Sequence, residues 1–309
     1  MSDDIQTHLR NAFEYAKPYC AQGRVANYIP ALAKIDPSKF GMSLALPNGD
    51  YHCIGDADEP FSIQSVSKVF TLSLALERLG EDLWNSVGRE PSGSSFNSIV
   101  QLETECGKPR NPLINAGAIA TTDRLIDGRS ADVTTKEILT FMQQLADDTS
   151  VFIDEDVALS EADTGSRNRS LAHFMAAFSN MDHPTETSLS VYFRQCAIAM
   201  STRQLARAGL YLAFGGTDPL TAKSVISAEN CRHINAVMMG CGHYDNSGEF
   251  AYRVGLPGKS GVGGGILTIA PGRGAIAVWS PGLNKAGTSL AGSMALEHFT
   301  HALNWSVFT

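Results

Sequence analysis

The sequence predicts an α+β fold, in which one antiparallel sheet is built from both ends of the chain and flanked by helices. Short strand-like segments bounded by Gly, Pro and Asn occur near the N-terminus and again in the C-terminal third. Between them, apolar residues recur mostly at helical spacing. The strands follow one another through short turns, which antiparallel pairing permits and parallel pairing does not. We therefore expect an all-helical domain inserted into a sheet domain.

This division gives two domains with a boundary at each end of the helical region. Residues 1–64 and 222–309 are expected to form a discontinuous sheet domain, and residues 65–221 a mainly helical domain. A functional site is expected between them.

The individual elements follow from local patterns along the chain. Residues 5–19 are amphipathic and predict a first helix, and Asn48-Gly49 marks a hairpin turn between strands at 42–46 and 51–54. Helical spacing predicts further helices, and β-rich runs predict further strands. The helices are expected from residue 65 onward and at 135–145, 170–180, 201–214 and 289–303, and the strands at 250–254, 265–269 and 275–279.

Composition and charge exclude several classes of function. The 309 residues carry a net charge of −8, which argues against a nucleic-acid partner. The acidic start does not resemble a signal peptide, and apolar runs are too short to span a membrane. The six cysteines are scattered, as expected for reduced thiols and not for a disulfide framework or a zinc site. We therefore expect a soluble, cytoplasmic protein without a bound metal.

Ser65 and Lys68 form an S-x-x-K motif where a long apolar segment begins. Positions three apart share one face of a helix, so the lysine can reach the serine oxygen. A partly desolvated lysine can be neutral and take the hydroxyl proton, and the helix start favours the resulting oxyanion. The alternative is an ordinary helix start, in which Ser65 is a cap and Lys68 is solvated.

A glycine-rich segment at residues 255–265 is the second candidate. It is not a P-loop, because Arg253 stands where the motif needs glycine and Pro257 lacks an N–H donor. It can instead be a K-S-G strand, or simply a glycine-rich hairpin turn. In a K-S-G strand, the residues that support the serine would be Lys259, Ser260 and Gly261. The N–H of Val262 would pair with that of Ser65 as an oxyanion hole.

The two motifs in this order resemble the penicillin-recognising serine hydrolases, which carry S-x-x-K, S-D-N and K-T-G. In the triplet 166–168 the middle residue is Arg167 and not Asp, so the S-D-N comparison extends only to Asn168. Longer strings lie at 27–30, 64–68, 111–118, 192–196, 241–248 and 255–262. Together they are similar to the serine-dependent glutaminases over nearly the whole chain.

The resemblance implies a β-lactamase-like fold and an amidase that hydrolyses L-glutamine to L-glutamate and ammonia without a cofactor. Ser65 would be the nucleophile, Lys68 its base and Tyr244 a proton relay. Glu161 would meet the α-ammonium group, while Asn and Tyr donors would hold the α-carboxylate. The resemblance also implies a homo-oligomer, a tetramer. The implied substrate contacts are Tyr28, Ser65, Asn115, Glu161, Asn168, Tyr192, Tyr244 and Val262.

Other interpretations stay open at this stage. Without the resemblance, Glu161 would be a surface acid, Asn115 and Asn168 caps or turns, and Tyr244 a loop aromatic. A serine hydrolase of the same fold could act on a β-lactam or another ester. A third alternative is a glutamine-binding sensor without catalytic activity.

Overall fold

The computed structural model describes residues 2–92 and 99–308 of the chain. Five strands form one antiparallel sheet in the order β2-β1-β8-β7-β6, and three short strands form a second in the order β3-β5-β4. The strands are β1 (Gly41–Ala45), β2 (Tyr51–Gly55), β3 (Phe61–Ser62), β4 (Phe152–Ile153), β5 (Ile198–Met200), β6 (Gly258–Ser260), β7 (Gly265–Ala270) and β8 (Gly274–Trp279).

Helices occupy most of the described chain between β3 and β6 and also lie at both ends. The helices are α1 (Ser2–Ala16), α2 (Ser67–Leu79), α3 (Leu83–Ser86), α4 (Val100–Thr104), α5 (Asn115–Ile126), α6 (Ala131–Ala146), α7 (Glu155–Thr164), α8 (Ser166–Ala177), α9 (Thr185–Cys196), α10 (Thr202–Ala213), α11 (Ala228–Cys241), α12 (Ser247–Arg253) and α13 (Leu290–Leu303). None of the helices in the described part of the chain is both long and apolar enough to cross a membrane.

The five-stranded sheet is covered on both faces, so β7 and β8 are buried along their whole length. Successive side chains of a strand point to opposite faces. In β8, Ile276 and Val278 belong to the core formed with α1 and α13. Ala275 and Ala277 belong to the larger core that includes α10 and the inserted helices. The sheet therefore joins two hydrophobic cores and forms a rigid base for the strand β6.

The antiparallel sheet built from both ends of the chain agrees with the sequence prediction, and so do the predicted helices, within a few residues. The strand expected at 250–254 is wrong, because this segment lies in and just beyond helix α12. Phe250 and Val254 are buried four residues apart, whereas Tyr252 between them is 87% exposed. In a strand these three residues would share one face, so this burial pattern fits a helix and not a strand.

The second sheet was not predicted. Its strands have two or three residues each, too short for a periodic pattern, and β4 and β5 lie within the region expected to be all-helical. The sheet has a consequence for the site, because β5 pairs with β3 just before Ser65. The division of the chain after residues 64 and 221 stays a prediction.

Candidate active site

A cavity of about 290 Å³ opens between the inserted helices and the turn that carries Ser65. Helices α5, α7, α8 and α9 supply one wall, and the loop after β6 contributes Val262. Seven of the eight residues expected to contact substrate line it. The lining residues are Tyr28, Ile29, Gln64, Ser65, Asn115, Glu161, Thr164, Gly165, Arg167, Asn168, Tyr192, Cys196 and Val262.

Ser65 lies in a 3-10 turn, Gln64–Val66, that leads directly into α2. Its side chain is 7% exposed at the edge of the cavity. Gly261 packs against this turn so closely that a Cβ there would lie 2.5 Å from the carbonyl oxygen of Ile63 and 3.2 Å from the nitrogen of Ser65. Only glycine permits this approach. The loop after β6 is thereby held against the backbone of the candidate nucleophile.

The hydroxyl of Ser65 hydrogen-bonds with the phenol of Tyr244. Tyr244 does not line the cavity but is buried beside it, with a backbone φ of 55°. Burial raises the pKa of its phenol, and the hydrogen bond with Ser65 lowers it in part. The phenol is therefore protonated near neutral pH and can both accept and donate a hydrogen bond at the serine oxygen.

Lys68 is buried, with 1% of its surface exposed. Its Nζ donates to Oδ1 of Asn115 at 2.7 Å and to the carbonyl oxygen of Leu113 at 3.5 Å, and it lies 5.8 Å from the ring centroid of Tyr244. Burial lowers the pKa of the ammonium group to about 8, and the nearby carboxylate of Glu161 opposes this shift in part. A substantial fraction of Lys68 is therefore neutral just above neutral pH.

Asn115 connects Lys68 by hydrogen bonds to the cavity wall that the inserted helices form. It is the first residue of α5, and its Nδ2 donates to Oδ1 of Asn168 on α8 at 3.0 Å. The two amides and the lysine thus form one chain of hydrogen bonds along the cavity. Both Asn115 and Asn168 are half-buried and line the cavity.

A second lysine lies beneath Tyr244. Lys259 on β6 is fully buried and donates to the carbonyl oxygens of Gly242, at 2.9 Å, and Ser260. Its Nζ is 4.2 Å from the ring centroid of Tyr244. Burial, and then the positive charge of Lys68, place the pKa of Lys259 well below its ordinary value. None of the predicted supporting residues lines the cavity: Lys259 lies behind the phenol, and Gly261 packs against the turn that carries Ser65.

Glu161 on α7 is 8% exposed and hydrogen-bonds with the side chain of Gln64. Gln64 in turn donates to Oγ of Ser62 at 2.9 Å. Burial raises the pKa of Glu161 to about 7, against the lowering effects of Gln64 and of the Lys68 charge. A buried carboxylate beside a cavity is a place where a bound cation gains free energy.

The two tyrosines on the cavity wall differ in exposure. Tyr192 is 2% exposed and hydrogen-bonds with the thiol of Cys196, whereas Tyr28 is 54% exposed at the mouth. Burial, together with the nearby carboxylate of Glu161, raises the pKa of Tyr192 well above its ordinary value. Both phenols are available as neutral donors.

A comparison with protein-family models decides which family of proteins this chain belongs to. The family model described as Glutaminase matches residues 23–308. The chain belongs to the glutaminase family.

Individual members of the family are similar over the whole chain. The glutaminase of Rhizobium rhizogenes is 58% identical over 305 residues, which cover 99% of each chain. A solved structure of the probable glutaminase ybaS has a TM-score of 0.95 at 38% identity and covers 100% of this chain and 99% of its own. The probable glutaminase of Bacillus subtilis, solved with 6-diazo-5-oxo-L-norleucine, has a TM-score of 0.89 at 33% identity, covering 98% and 96%. The family, the β-lactamase-like fold and the glutamine amidohydrolase activity predicted from the sequence are confirmed.

Six residues that line the cavity of this glutaminase were missed as site residues in the sequence, namely Ile29, Gln64, Thr164, Gly165, Arg167 and Cys196. Gln64 and Cys196 both lie within matching strings, next to or four residues from predicted positions, and that adjacency was the available signal. Arg167, noted only as a departure from S-D-N, also lines the cavity. In the described ranges 2–92 and 99–308 there is no cluster of three His, Cys, Asp or Glu residues that could hold a metal ion.

Proposed function

We propose that this glutaminase hydrolyses L-glutamine through an ester between the substrate's side-chain carbonyl and Ser65. The observation that carries the proposal is the hydrogen bond between the Ser65 hydroxyl and Tyr244, with the buried lysine Lys68 beside the same phenol. A serine becomes a good nucleophile only with a proton acceptor in reach, and a neutral lysine or a phenol relay provides one. The pKa of Lys68, lowered to about 8, supports its role as base.

The two half-reactions follow from this arrangement. Oγ of Ser65 bonds to the carboxamide carbon as its proton passes to Lys68, directly or through Tyr244. The C–N bond then breaks, and the proton leaves with the nitrogen as ammonia. Water next attacks the ester, gives up a proton to the same base, and releases glutamate as Ser65 recovers its proton. The N–H groups of Ser65 and Val262 would hold the oxyanion in both steps.

The polar residues that line the cavity suit the binding of a free amino acid. We propose that Glu161 binds the α-ammonium group, because its buried carboxylate has a single hydrogen-bonding residue, Gln64, among the contacts that shift its pKa. Asn115, Asn168 and the tyrosine phenols of Tyr28 and Tyr192 would bind the α-carboxylate without burying another charge. A cavity of about 290 Å³ is small, which favours a compact substrate over a bicyclic β-lactam.

We also propose that the enzyme is a cytoplasmic homotetramer that binds neither membranes nor nucleic acid. The net charge of −8 and the six free cysteines support this location and these exclusions. The tetramer rests on the resemblance to the family. Light scattering coupled to size-exclusion chromatography measures the oligomeric mass directly, and a monomeric enzyme with full activity would contradict this part of the proposal.

The test of the acyl-enzyme is Ser65→Ala, with Ser73→Ala as a matched control. Ser73 is also a buried serine of the same segment, but it donates to Val69 and contacts the phenol of Tyr211, and neither Ser73 nor Tyr211 lines the cavity. Ser65→Ala is expected to lower ammonia release from glutamine by at least about 10³-fold while the melting temperature is kept. Ser73→Ala is expected to retain the activity of each folded molecule.

The covalent step has its own readout. Treatment with 6-diazo-5-oxo-L-norleucine should attach a 5-oxo-norleucine group to Ser65, with the diazo nitrogens lost as N2, so mass spectrometry should detect the added group on the peptide that contains Ser65, and Ser65→Ala should remain unmodified. Label on another residue would contradict the assignment of the nucleophile. Rapid turnover of nitrocefin without ammonia release from glutamine would favour the β-lactamase alternative, and tight glutamine binding without turnover would favour a sensor.

A further inference from the structure

Tyr244 has an unusual backbone conformation for an aromatic residue. Its φ of 55° lies in the left-handed region, which a bulky side chain rarely occupies because its Cβ crowds the backbone. The direction of the side chain follows from this conformation. A return to the right-handed region would swing the ring away from Ser65 and from the ammonium of Lys259 beneath it. Something in the fold must therefore hold the residue in this state.

The hydroxyl of Ser247, the first residue of α12, spans this strained segment. It accepts the backbone N–H of His243 at 3.0 Å and donates to the carbonyl oxygen of Tyr244 at 2.8 Å. The two bonds join the groups at the start and end of the dipeptide 243–244. Ser247 is only 5% exposed, so water competes little with these bonds.

Other contacts fix the helix that carries Ser247. The ring of His243 stacks on Phe250 of the same helix, with centroids 3.6 Å apart. The turn is also closed by backbone bonds from Asn246 to His243 and from Ser247 to Tyr244. These contacts place α12, but the hydroxyl of Ser247 is the side-chain group that bonds both sides of the dipeptide.

We propose that Ser247 is a positioning residue for Tyr244, whose hydroxyl bridge maintains the left-handed backbone that places the phenol on Ser65. Ser247 does not line the cavity and acts only through the tyrosine. The inference rests on the proposed function of Tyr244 as a proton relay. It assigns a task to a residue outside the set expected from the sequence.

The test is a double-mutant cycle on Ser247→Ala and Tyr244→Phe. Ser247→Ala is expected to lower kcat by about tenfold or more, with KM changed less than about threefold, because a displaced catalytic group slows the chemical step more than binding. Tyr244→Phe is expected to lower kcat by about 10²-fold. In the Tyr244→Phe background, Ser247→Ala should have almost no further effect, since the phenol it positions is gone.

A matched control separates positioning from loss of stability. Ser289 is fully buried, and its hydroxyl likewise accepts a backbone N–H, from Gly292 at 3.2 Å, and donates to a carbonyl oxygen, that of Ser280 at 2.7 Å. Ser289→Ala should lower the melting temperature about as much as Ser247→Ala does, but should keep kcat within about twofold.

The outcomes distinguish the two levels of the argument. If Tyr244→Phe keeps the original kcat, the relay role proposed for Tyr244 fails, and the positioning role with it. If Tyr244→Phe is impaired but Ser247→Ala keeps full kcat, or lowers it by the same factor in both backgrounds, only the positioning role is overturned. A loss confined to the background with the phenol supports it.

Discussion

Two buried carboxylates in the helical part of the molecule show how stability and function differ in their use of charge. Asp123 on α5 is fully buried, and Glu161 on α7 is 8% exposed. The carboxylate of Asp123 is surrounded by donors from α5, from α9 and from the segment between α8 and α9. They are the N–H groups of Asp182 (2.7 Å) and His183 (3.1 Å), Oγ of Ser188 (2.7 Å) and Nη1 of Arg124 (3.0 Å).

Glu161, by contrast, is hydrogen-bonded with Gln64 and otherwise faces the cavity. A buried charge with a full set of donors anchors the segment that provides them. A buried charge with few donors is costly to the folded state unless a ligand completes it. The contrast teaches that incomplete hydrogen bonding beside a cavity marks the functional carboxylate, since burial alone describes both residues.

The largest effect is expected at Lys68, the buried cation whose charge lowers the pKa of Glu161. Lys68→Met should lower kcat by about 10³-fold, equivalent to about 4 kcal/mol, because the base is lost. The free energy of unfolding should not fall, since methionine fills similar space without a desolvated amine. Steady-state ammonia release and chemical denaturation measure the two quantities. A variant that loses stability but keeps kcat would place Lys68 with Asp123 among the structural charges.

The next effect concerns the anchored carboxylate. Asp123→Asn should lower the free energy of unfolding by about 3 kcal/mol, because the donors around it lose a charged acceptor in a buried site. KM for glutamine should stay within about twofold, as Asp123 does not line the cavity. Denaturant titration and steady-state kinetics on the folded protein check this. A raised KM with unchanged stability would reverse the assignment.

Glu161→Gln should have the opposite signature. KM for glutamine should rise by about 10²-fold, because a charged hydrogen bond to the α-ammonium is worth about 1.5–3 kcal/mol. Stability should increase. The folded-state pKa of about 7 exceeds the ordinary 4.5, so the folded protein binds the extra proton between these values and is destabilised as pH rises through them. Under the proposed binding mode, saturating glutamine should offset this loss of stability. Steady-state kinetics measure KM, and melting curves at about pH 7.5, near the upper edge of this range, measure the stability.

The smallest effect is a change in slope with pH. The proposed mechanism requires Glu161 ionised, above its pKa of about 7, and Lys68 neutral, above its pKa of about 8. The logarithm of kcat/KM should therefore rise by about one per pH unit between 7 and 8, and by about two per unit below 7. In Glu161→Gln the steeper portion should disappear. A profile that falls with rising pH in this range would exclude the neutral lysine as base.

Much of the site was readable from the sequence because its residues occur in short, ordered strings. The S-x-x-K motif predicted a serine and a lysine at one helix start, and the structure places Ser65 in a 3-10 turn leading directly into α2. For the K-S-G segment the sequence left a strand and a hairpin turn open, and the structure has a strand that ends at Ser260. The error at 250–254 arose because five residues are too few to separate a period of 2 from one of 3.6. The side-chain roles assigned to the site residues stay predictions.

By itself, the sequence determined the antiparallel sheet from both ends of the chain, the helical insertion, the family and the candidate nucleophile. These depend on local periodicity, turn residues and motif spacing, which are written along the chain. Only the tertiary structure decided that Asn115 and not Ser65 receives the closest hydrogen bond of Lys68, that Lys259 lies beneath Tyr244, and that Ser247 bridges a strained turn. It also showed that the buried carboxylate of Asp123 has a full set of hydrogen-bond donors, whereas that of Glu161 has few. Burial, hydrogen-bond partners and pKa depend on which distant segments pack together, and no local pattern contains that information.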